Sequence, residues 1–250
     1  MSALAGLAGA AGMIRAGSRL VLTGATVAVM AARAGSPRLD GARARARARV
    51  LRDGCRAVLA HHGIEARVDG LPPIGPALLA CNHVSWLDPI VVAAHAPCAP
   101  ISKLDVRGWP LVGGLANRLG VIFYERGNRS SGLHVLRQAE ASLGNDVALL
   151  NFPEGTTTDG RAVAPFHRGL FGLALRLGVP VVPVAVRYAP ANLAWTGDAT
   201  FVPHYLRLAA RGRSSVSLRF GEPVRADQHP TAVDLAGAVR DQVAMLLEAA

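Results

Sequence analysis

The chain has 250 residues, a length that suits one sizeable α/β domain with an appended segment. Lys and Arg number 27 against 17 Asp and Glu, and the net charge of +10 favours anionic partners: lipid headgroups, nucleic acid or an acidic carrier protein. Aromatic residues make up only 5%, and no RNA-binding signature or zinc-type Cys and His spacing is present, so the composition argues against a nucleic-acid module and favours a membrane surface.

Residues 1–36 form an apolar segment of small residues that we interpret as a membrane anchor. Arg15 and Arg19 are its only charges before Arg33. The uninterrupted apolar stretch 20–32 is shorter than the roughly 20 residues that a spanning helix needs, so an uncleaved anchor and an interfacial helix both fit. A secretory signal is the competing interpretation, because a basic residue precedes an apolar run that ends in small residues.

Residues 37–62 predict a basic amphipathic helix. At about 100° per residue, four arginines share one arc of this helix while three aliphatic side chains occupy another side. The arginines are Arg45, Arg49, Arg52 and Arg56, and the aliphatic residues are Val50, Leu51 and Val58. Two interpretations stay open: the arginines contact anionic headgroups, or they form the solvated face of a helix that packs on the domain.

Residues 63–250 predict one α/β domain with a central mixed sheet flanked by helices. Short valine-rich runs alternate with helix-like stretches. The expected strands are 77–81, 121–124, 147–151, 181–187 and 216–220, and the expected helices are 89–95, 131–143, 168–177 and 232–249. Polar motifs follow the first three of these strands, which is where α/β sheets place ligands.

The first motif, residues 82–88, reads Asn-His-Val-Ser-Trp-Leu-Asp. A neutral imidazole can take a proton from a hydroxyl, and a nearby carboxylate can fix its tautomer and stabilise the imidazolium that forms. His83 and Asp88 are therefore candidates for a catalytic base and its orienting carboxylate. Because Asp88 precedes Pro89 and an apolar run, its alternative role is the N-cap of a helix with proline at the first position.

Two further motifs supply candidate substrate contacts. Arg126 follows the second strand, and a cluster of five residues follows the third: Phe152, Pro153, Glu154, Gly155 and Thr156. A guanidinium offers a planar fork of donors that suits a phosphate, and glycine lets the backbone approach a ligand closely. Lys103 could add a point charge nearby. Without further support, these residues would be interpreted as solvated loop positions.

The cysteines and the remaining histidines do not indicate a disulfide or a metal site. Cys55, Cys81 and Cys98 cannot form a complete set of disulfides, and none lies in a C-x-x-C pair, so a reduced chain is expected. Cys81 lies two residues before His83, which raises the possibility of a nucleophilic Cys/His pair. It also ends an apolar run, where a buried small side chain is expected.

In this order and spacing, the motifs resemble those of the glycerolipid acyltransferases of the 1-acylglycerol-3-phosphate acyltransferase family. The resemblance covers roughly residues 60–225 and rests on four blocks. They are His-x4-Asp at 83–88, the segment 120–126, Phe-Pro-Glu-Gly at 152–155 and Val-Pro-Val at 182–184.

The resemblance implies that His83, held by Asp88, deprotonates the hydroxyl of a lysolipid, which attacks the thioester of acyl-CoA or acyl-carrier protein. It associates Arg126, Glu154 and Gly155 with acceptor binding. The expected reaction converts 1-acylglycerol-3-phosphate into phosphatidic acid in phospholipid biosynthesis, without a covalent acyl-enzyme, metal or cofactor. The implied location is the cytoplasmic membrane, with the active domain on the cytoplasmic side at an anionic membrane surface.

One departure from the family pattern affects the acceptor. Many relatives that use lysophosphatidate have arginine after Glu-Gly-Thr, where this chain has Thr157 followed by Thr158 and Asp159. Arg161 or Arg168 could replace that cation in space. The threonine variant and the Trp-Thr-Gly-Asp sequence at 195–198 also resemble acyltransferases that act on lyso-ornithine lipid, which is the closest alternative.

Two other classes of protein are weighed against an acyltransferase. A serine hydrolase is disfavoured because the chain has no Gly-x-Ser-x-Gly elbow, although Ser85 is formally possible as a nucleophile. A non-catalytic membrane-binding adaptor could keep the same fold. The intact His83, Asp88, Glu154 and Gly155 argue against that role.

Overall fold

The structure, a computed structural model, describes residues 9–34, 41–109, 112–189, 193–195 and 200–249. The strands are β1 (Ile64–Asp69), β2 (Leu78–Cys81), β3 (Cys98–Lys103), β4 (Ile122–Tyr124), β5 (Ala148–Asn151), β6 (Val181–Ala189) and β7 (Ser214–Phe220). The helices are α1 (Ala10–Arg33), α2 (Gly41–His61), α3 (Asp88–His95), α4 (Val112–Arg118), α5 (Arg129–Gly144), α6 (Gly169–Leu177), α7 (Phe201–Ala210) and α8 (Ala232–Glu248).

The strands form one seven-stranded sheet in the order β1-β7-β6-β2-β5-β3-β4. All neighbours are parallel except β6 and β7, so the predicted mixed sheet is confirmed. Because β6, β2, β5, β3 and β4 run in the same direction, their carboxyl ends meet at one edge. The loops that carry the sequence motifs therefore converge there.

The five predicted strands and four predicted helices of the α/β domain are all present, with bounds within two residues of those expected. Sequence patterns missed β1, β3, α4 and α7. Strand β3 contains Pro100, which cannot donate to a ladder, and α4 contains Gly113 and Gly114, which have low helix propensity. Helix α7 has Pro203 in its first turn, a position that tolerates proline.

Local signals explain where the confirmed helices start and stop. Asn128 caps α5 by accepting a hydrogen bond from the Ser131 amide, and Thr231 caps α8 by accepting one from the Asp234 amide. Helix α6 ends at Gly178, whose φ of 65° is left-handed, a conformation that glycine adopts without strain.

The basic helix α2 packs on the α/β domain. Leu51, Cys55 and Leu59 are buried in the main apolar core, while Arg49 and Arg56 remain exposed. The Arg56 guanidinium donates to the Ala94 carbonyl at 2.6 Å, which ties α2 to α3. Of the two interpretations of this helix, packing on the domain is observed, and contact of its arginines with headgroups stays a prediction.

Helix α1 lies against α2 and α7. The Arg19 side chain of α1 is buried and donates to the carbonyls of Ala209 and Arg211 at 3.1 and 2.8 Å. Arg15, also in α1, donates to the carbonyl of Ala210 at 2.9 Å. These carbonyls belong to the end of α7, where backbone acceptors lack helical partners and cations are favoured. By length and composition alone, α1 could cross a membrane. Residues 1–8, 35 and 36 of the predicted anchor lie outside the described part of the chain.

Candidate active site

The loop that carries His83 starts from a fixed point at the end of β2. Asn82 is buried, and its side-chain amide donates to the Val186 carbonyl at 3.0 Å and accepts from the Val186 amide at 2.8 Å. The side chain thereby continues the pairing between β2 and β6 for one more residue. The backbone of His83 leaves the sheet edge in a defined direction as a result.

The Asp88 carboxylate is fully buried and accepts four hydrogen bonds. Oδ2 accepts from Nδ1 of His83 at 2.7 Å and from the amides of Val84 and Ser85 at 2.7 and 2.8 Å. Oδ1 accepts from the Tyr188 hydroxyl at 2.6 Å. An ionised carboxylate can only accept, so Nδ1 of His83 carries the hydrogen and Nε2 keeps the lone pair that can take a proton.

The alternative role of Asp88 as an ordinary helix cap does not describe this geometry. Helix α3 begins at Asp88 itself, and its N-cap residue is Leu87. The carboxylate turns back to the preceding loop, where its bonds to two backbone amides and to His83 hold the loop and the imidazole together.

Tyr188 is a site residue that sequence analysis missed. It lies near the end of β6, one residue beyond the predicted strand, and is 5% exposed. Burial and the neighbouring Asp88 charge raise the pKa of Tyr188 well above its usual value, so its hydroxyl remains a donor to Asp88. The sequence offers one indication of its role, namely a tyrosine near the end of a strand that runs to the same sheet edge as β2.

Phe152 and Trp86 hold the His83 loop from two directions. The Phe152 ring stacks on the imidazole of His83, with centroids 4.2 Å apart and an interplanar angle of 24°. The Trp86 indole donates to Nδ1 of the buried His204 in α7 at 2.9 Å. Burial lowers the pKa of His204, which favours the neutral ring that accepts this bond.

Glu154 joins two loops around the candidate base. Its side chain is buried, with Oε1 accepting from the His83 amide at 2.7 Å and Oε2 from the Ala164 amide at 3.0 Å. Burial raises the pKa of Glu154, and these two bonds oppose that effect. Both oxygens are thus engaged by backbone. Direct contact between Glu154 and an acceptor stays a prediction.

A cavity of about 710 Å³ lies beside the loop that follows β5. Phe152 and Pro153 line it, and Phe152 therefore forms a wall shared by the cavity and His83. The apolar part of the lining includes Ile101, Leu133, Leu136 and Leu170, and the polar part includes Arg126, Asn151 and His167. Its volume and lining suit an amphipathic ligand with an aliphatic chain and an anionic group.

Most of the predicted substrate-binding residues converge on this cavity. Arg126 and Gly155 line it, and Lys103 lies at the end of β3, close enough to Arg126 for that charge to add to burial in lowering the Lys103 pKa. Thr156 is exposed. Arg161 has a side chain that is 90% exposed and pairs with Asp159, so it does not supply a cation to the cavity.

The candidate nucleophiles Cys81 and Ser85 are fully buried. Burial raises the pKa of Cys81 well above its usual value, which keeps the thiol protonated and unreactive. The Ser85 hydroxyl accepts from the Leu87 amide at 3.4 Å. Neither residue is presented to a substrate. Within the described ranges, no three His, Cys, Asp or Glu side chains form a group that could hold a metal ion.

We expect Tyr188→Phe to lower the free energy of unfolding by about 1.5–3 kcal/mol, because it removes a donor from a buried carboxylate. The rate of the reaction expected at this site should also fall, since Asp88 then holds His83 less firmly. Tyr205→Phe is the matched control: the Tyr205 hydroxyl is buried without a hydrogen-bond partner among the described residues. Urea unfolding in detergent checks both variants, and equal midpoints for the two would contradict the assignment.

Comparison with known proteins supplies independent information on the family. The profile of the family described as Acyltransferase matches residues 62–187. A lyso-ornithine lipid O-acyltransferase of Pseudomonas aeruginosa is 42% identical over 165 residues, 64% of each chain, and one of Brucella abortus is 34% identical over 70% of this chain and 72% of its own. A 1-acyl-sn-glycerol-3-phosphate acyltransferase of Neisseria meningitidis is 32% identical over 67% of this chain and 65% of its own.

Among solved structures, the fold matches that of the 1-acyl-sn-glycerophosphate acyltransferase PlsC from Thermotoga maritima. The TM-score is 0.69, the match covers 95% of both chains, and sequence identity is 22%. The predicted α/β fold is thereby confirmed over nearly the whole chain.

Proposed function

Since the chain belongs to the acyltransferase family, we propose that it transfers a fatty acyl group from acyl-CoA or acyl-carrier protein to the free hydroxyl of a lysolipid. The observation that carries this proposal is the hydrogen bond of 2.7 Å between Asp88 and Nδ1 of His83, beside a cavity with apolar and cationic parts. This bond leaves Nε2 as the base, and Phe152, which stacks on the His83 ring, lines the cavity that fits an amphipathic acceptor.

The reaction proceeds by direct attack. Nε2 of His83 takes the proton as the acceptor oxygen adds to the thioester carbonyl, and Asp88 stabilises the imidazolium. The tetrahedral intermediate collapses with cleavage of the carbon–sulfur bond, and the imidazolium returns its proton to the thiolate. An ester and a free thiol are the products. No covalent acyl-enzyme is required, in keeping with the burial of Cys81 and Ser85.

The favoured acceptor is lyso-ornithine lipid, whose headgroup is an amino acid with a free carboxylate. Two points support it: Thr157 stands where the family pattern implies arginine in relatives that use lysophosphatidate, and a relative named for lyso-ornithine lipid is 42% identical. The second candidate is 1-acylglycerol-3-phosphate, the acceptor expected from the motifs alone. The neighbouring charges of Lys103 and Arg126 favour it, because a phosphate carries more charge than a carboxylate.

Acyl transfer by the purified protein in detergent tests both acceptors. Labelled acyl-CoA and acyl-carrier protein are each offered with lyso-ornithine lipid and with 1-acylglycerol-3-phosphate. We expect His83-dependent product with a higher kcat/KM for lyso-ornithine lipid. A preference for 1-acylglycerol-3-phosphate would establish the second candidate instead, and no product from any pairing would overturn the proposal.

The chain also acts, we propose, at an anionic membrane surface on the cytoplasmic side, with α1 in the interface rather than across the bilayer. The bonds of Arg15 and Arg19 to the end of α7, and packing on α2, support a helix that lies along the domain. The opposite face of α1 exposes Ile14 and Val21, two turns apart. Such a one-sided apolar helix is typical of interfacial binding.

We expect the pair Ile14→Asp and Val21→Asp to weaken binding to vesicles that contain anionic lipid, by roughly tenfold per residue. Two exposed apolar residues of the loop after β1, Leu71 and Ile74, provide the control pair Leu71→Asp and Ile74→Asp. Vesicle flotation measures both. If the α1 double variant and the control double variant bound vesicles equally well, the assignment of α1 to the interface would be contradicted.

A further inference from the structure

The position of the cation that many relatives carry after Glu-Gly-Thr is occupied here by Thr157. The two arginines that could have replaced it do not do so. Arg161 pairs with Asp159 at the surface, and Arg168 is exposed at the start of α6 without contributing to the cavity lining.

His167, the exposed residue just before Arg168, does line the cavity. Its backbone amide donates to the Pro153 carbonyl at 2.9 Å, which fixes the residue against the loop after β5. Its imidazole lines the cavity together with Arg126. The pattern of the sequence did not indicate His167, because it lies 84 residues after His83 and no partner is spaced near it in the chain.

The Gly155 backbone shows how closely His167 and Arg126 converge. A Cβ at Gly155 would lie 3.1 Å from Cδ2 of His167 and 3.5 Å from Nη2 of Arg126. Gly155 also has φ of +70°, which favours glycine. The imidazole and the guanidinium thus approach one glycine from two loops, one after β4 and one before α6. This arrangement presents donors from two sides to one ligand group.

We propose that His167 is a specificity-determining residue, which binds the anionic group of the acceptor headgroup together with Arg126. The inference rests on the proposed function and adds a residue to it. The ligand group is a carboxylate or a phosphate, since both accept from a guanidinium fork and from an imidazole N–H. With the anion held at His167 and Arg126, the acceptor extends along the wall formed by Phe152 toward His83.

Binding to a His83→Ala parent tests the inference without requiring turnover. In that background we compare His167→Ala, His167→Lys and the control Arg168→Ala. The probes are lyso-ornithine lipid, 1-acylglycerol-3-phosphate and a neutral monoacylglycerol of equal chain length. We expect His167→Ala to weaken binding of the two charged lysolipids by roughly 10- to 100-fold, to leave the neutral lipid nearly unchanged, and to be rescued by lysine.

The control Arg168→Ala should bind all three lipids like the parent. A stronger effect with the carboxylate or with the phosphate ligand identifies which anion the pair selects, and either result supports the inference. Unchanged binding by His167→Ala, an equal loss for the neutral lipid, or no binding by the parent would overturn it. If the His83→Ala parent binds the charged lysolipids selectively but the wild-type protein shows no turnover, the proposed reaction is contradicted and the inference about His167 is not.

Discussion

Replacement of His83 by alanine is expected to lower the rate of acyl transfer by roughly 10²- to 10⁴-fold, the contribution of a positioned general base. The loss should appear in kcat, because the cavity lined by Arg126, Gly155 and Leu133 remains to bind the acceptor. Initial rates under saturating acceptor measure the effect.

The exposed His134 in α5 supplies the matched control. His134→Ala removes the same side chain from an exposed position that does not line the cavity, and its rate should equal that of the wild-type protein. A His83→Ala variant that keeps more than about a tenth of the wild-type rate would contradict the assignment of this residue as base.

Asp88→Asn is expected to lower the rate by a similar factor, roughly 10²- to 10⁴-fold, although the side chains are nearly the same size. An amide can present an N–H to the three donors that now converge on Oδ2, and rotation to avoid this would place it against the Tyr188 hydroxyl. In the first orientation the Nδ1–H of His83 loses its acceptor, and in either orientation the imidazolium loses the negative charge that stabilises it.

The double variant His83→Ala with Asp88→Asn gives the sharper test of this coupling. If Asp88 acts through His83, the double variant should be no slower than His83→Ala alone. Asp241→Asn, at an exposed carboxylate in α8, serves as the control for the substitution itself. Additive losses in the double variant would assign Asp88 a role independent of the imidazole.

Much of the fold could be predicted because its signals are local. The valine-rich β6 and the capped helices α5 and α8 carry their periodicity and caps within a few residues. Strand β3 could not be predicted, since its proline and small side chains lack a strand pattern. Its extended conformation is stabilised instead by pairing with β5 and β4, which the local sequence does not indicate.

The site divides in the same way. His83 and Asp88 lie five residues apart on one loop, so their spacing and family resemblance could indicate a pair. Tyr188 and His167 reach the site only because β6 and the loop before α6 end at the same sheet edge. Glu154 shows a further limit: its position was predicted, while its bonds to two backbone amides follow from how two loops pack.

Thiol release from the acyl donor, with and without acceptor, tests the central mechanism most directly. Wild-type protein and His83→Ala are mixed with acyl-CoA alone, and then with acyl-CoA and lyso-ornithine lipid or 1-acylglycerol-3-phosphate. Direct transfer predicts that thiol appears only with an acceptor, equals the ester formed, and is lost in His83→Ala. A stoichiometric burst of thiol without acceptor, or release that survives in His83→Ala, would contradict it.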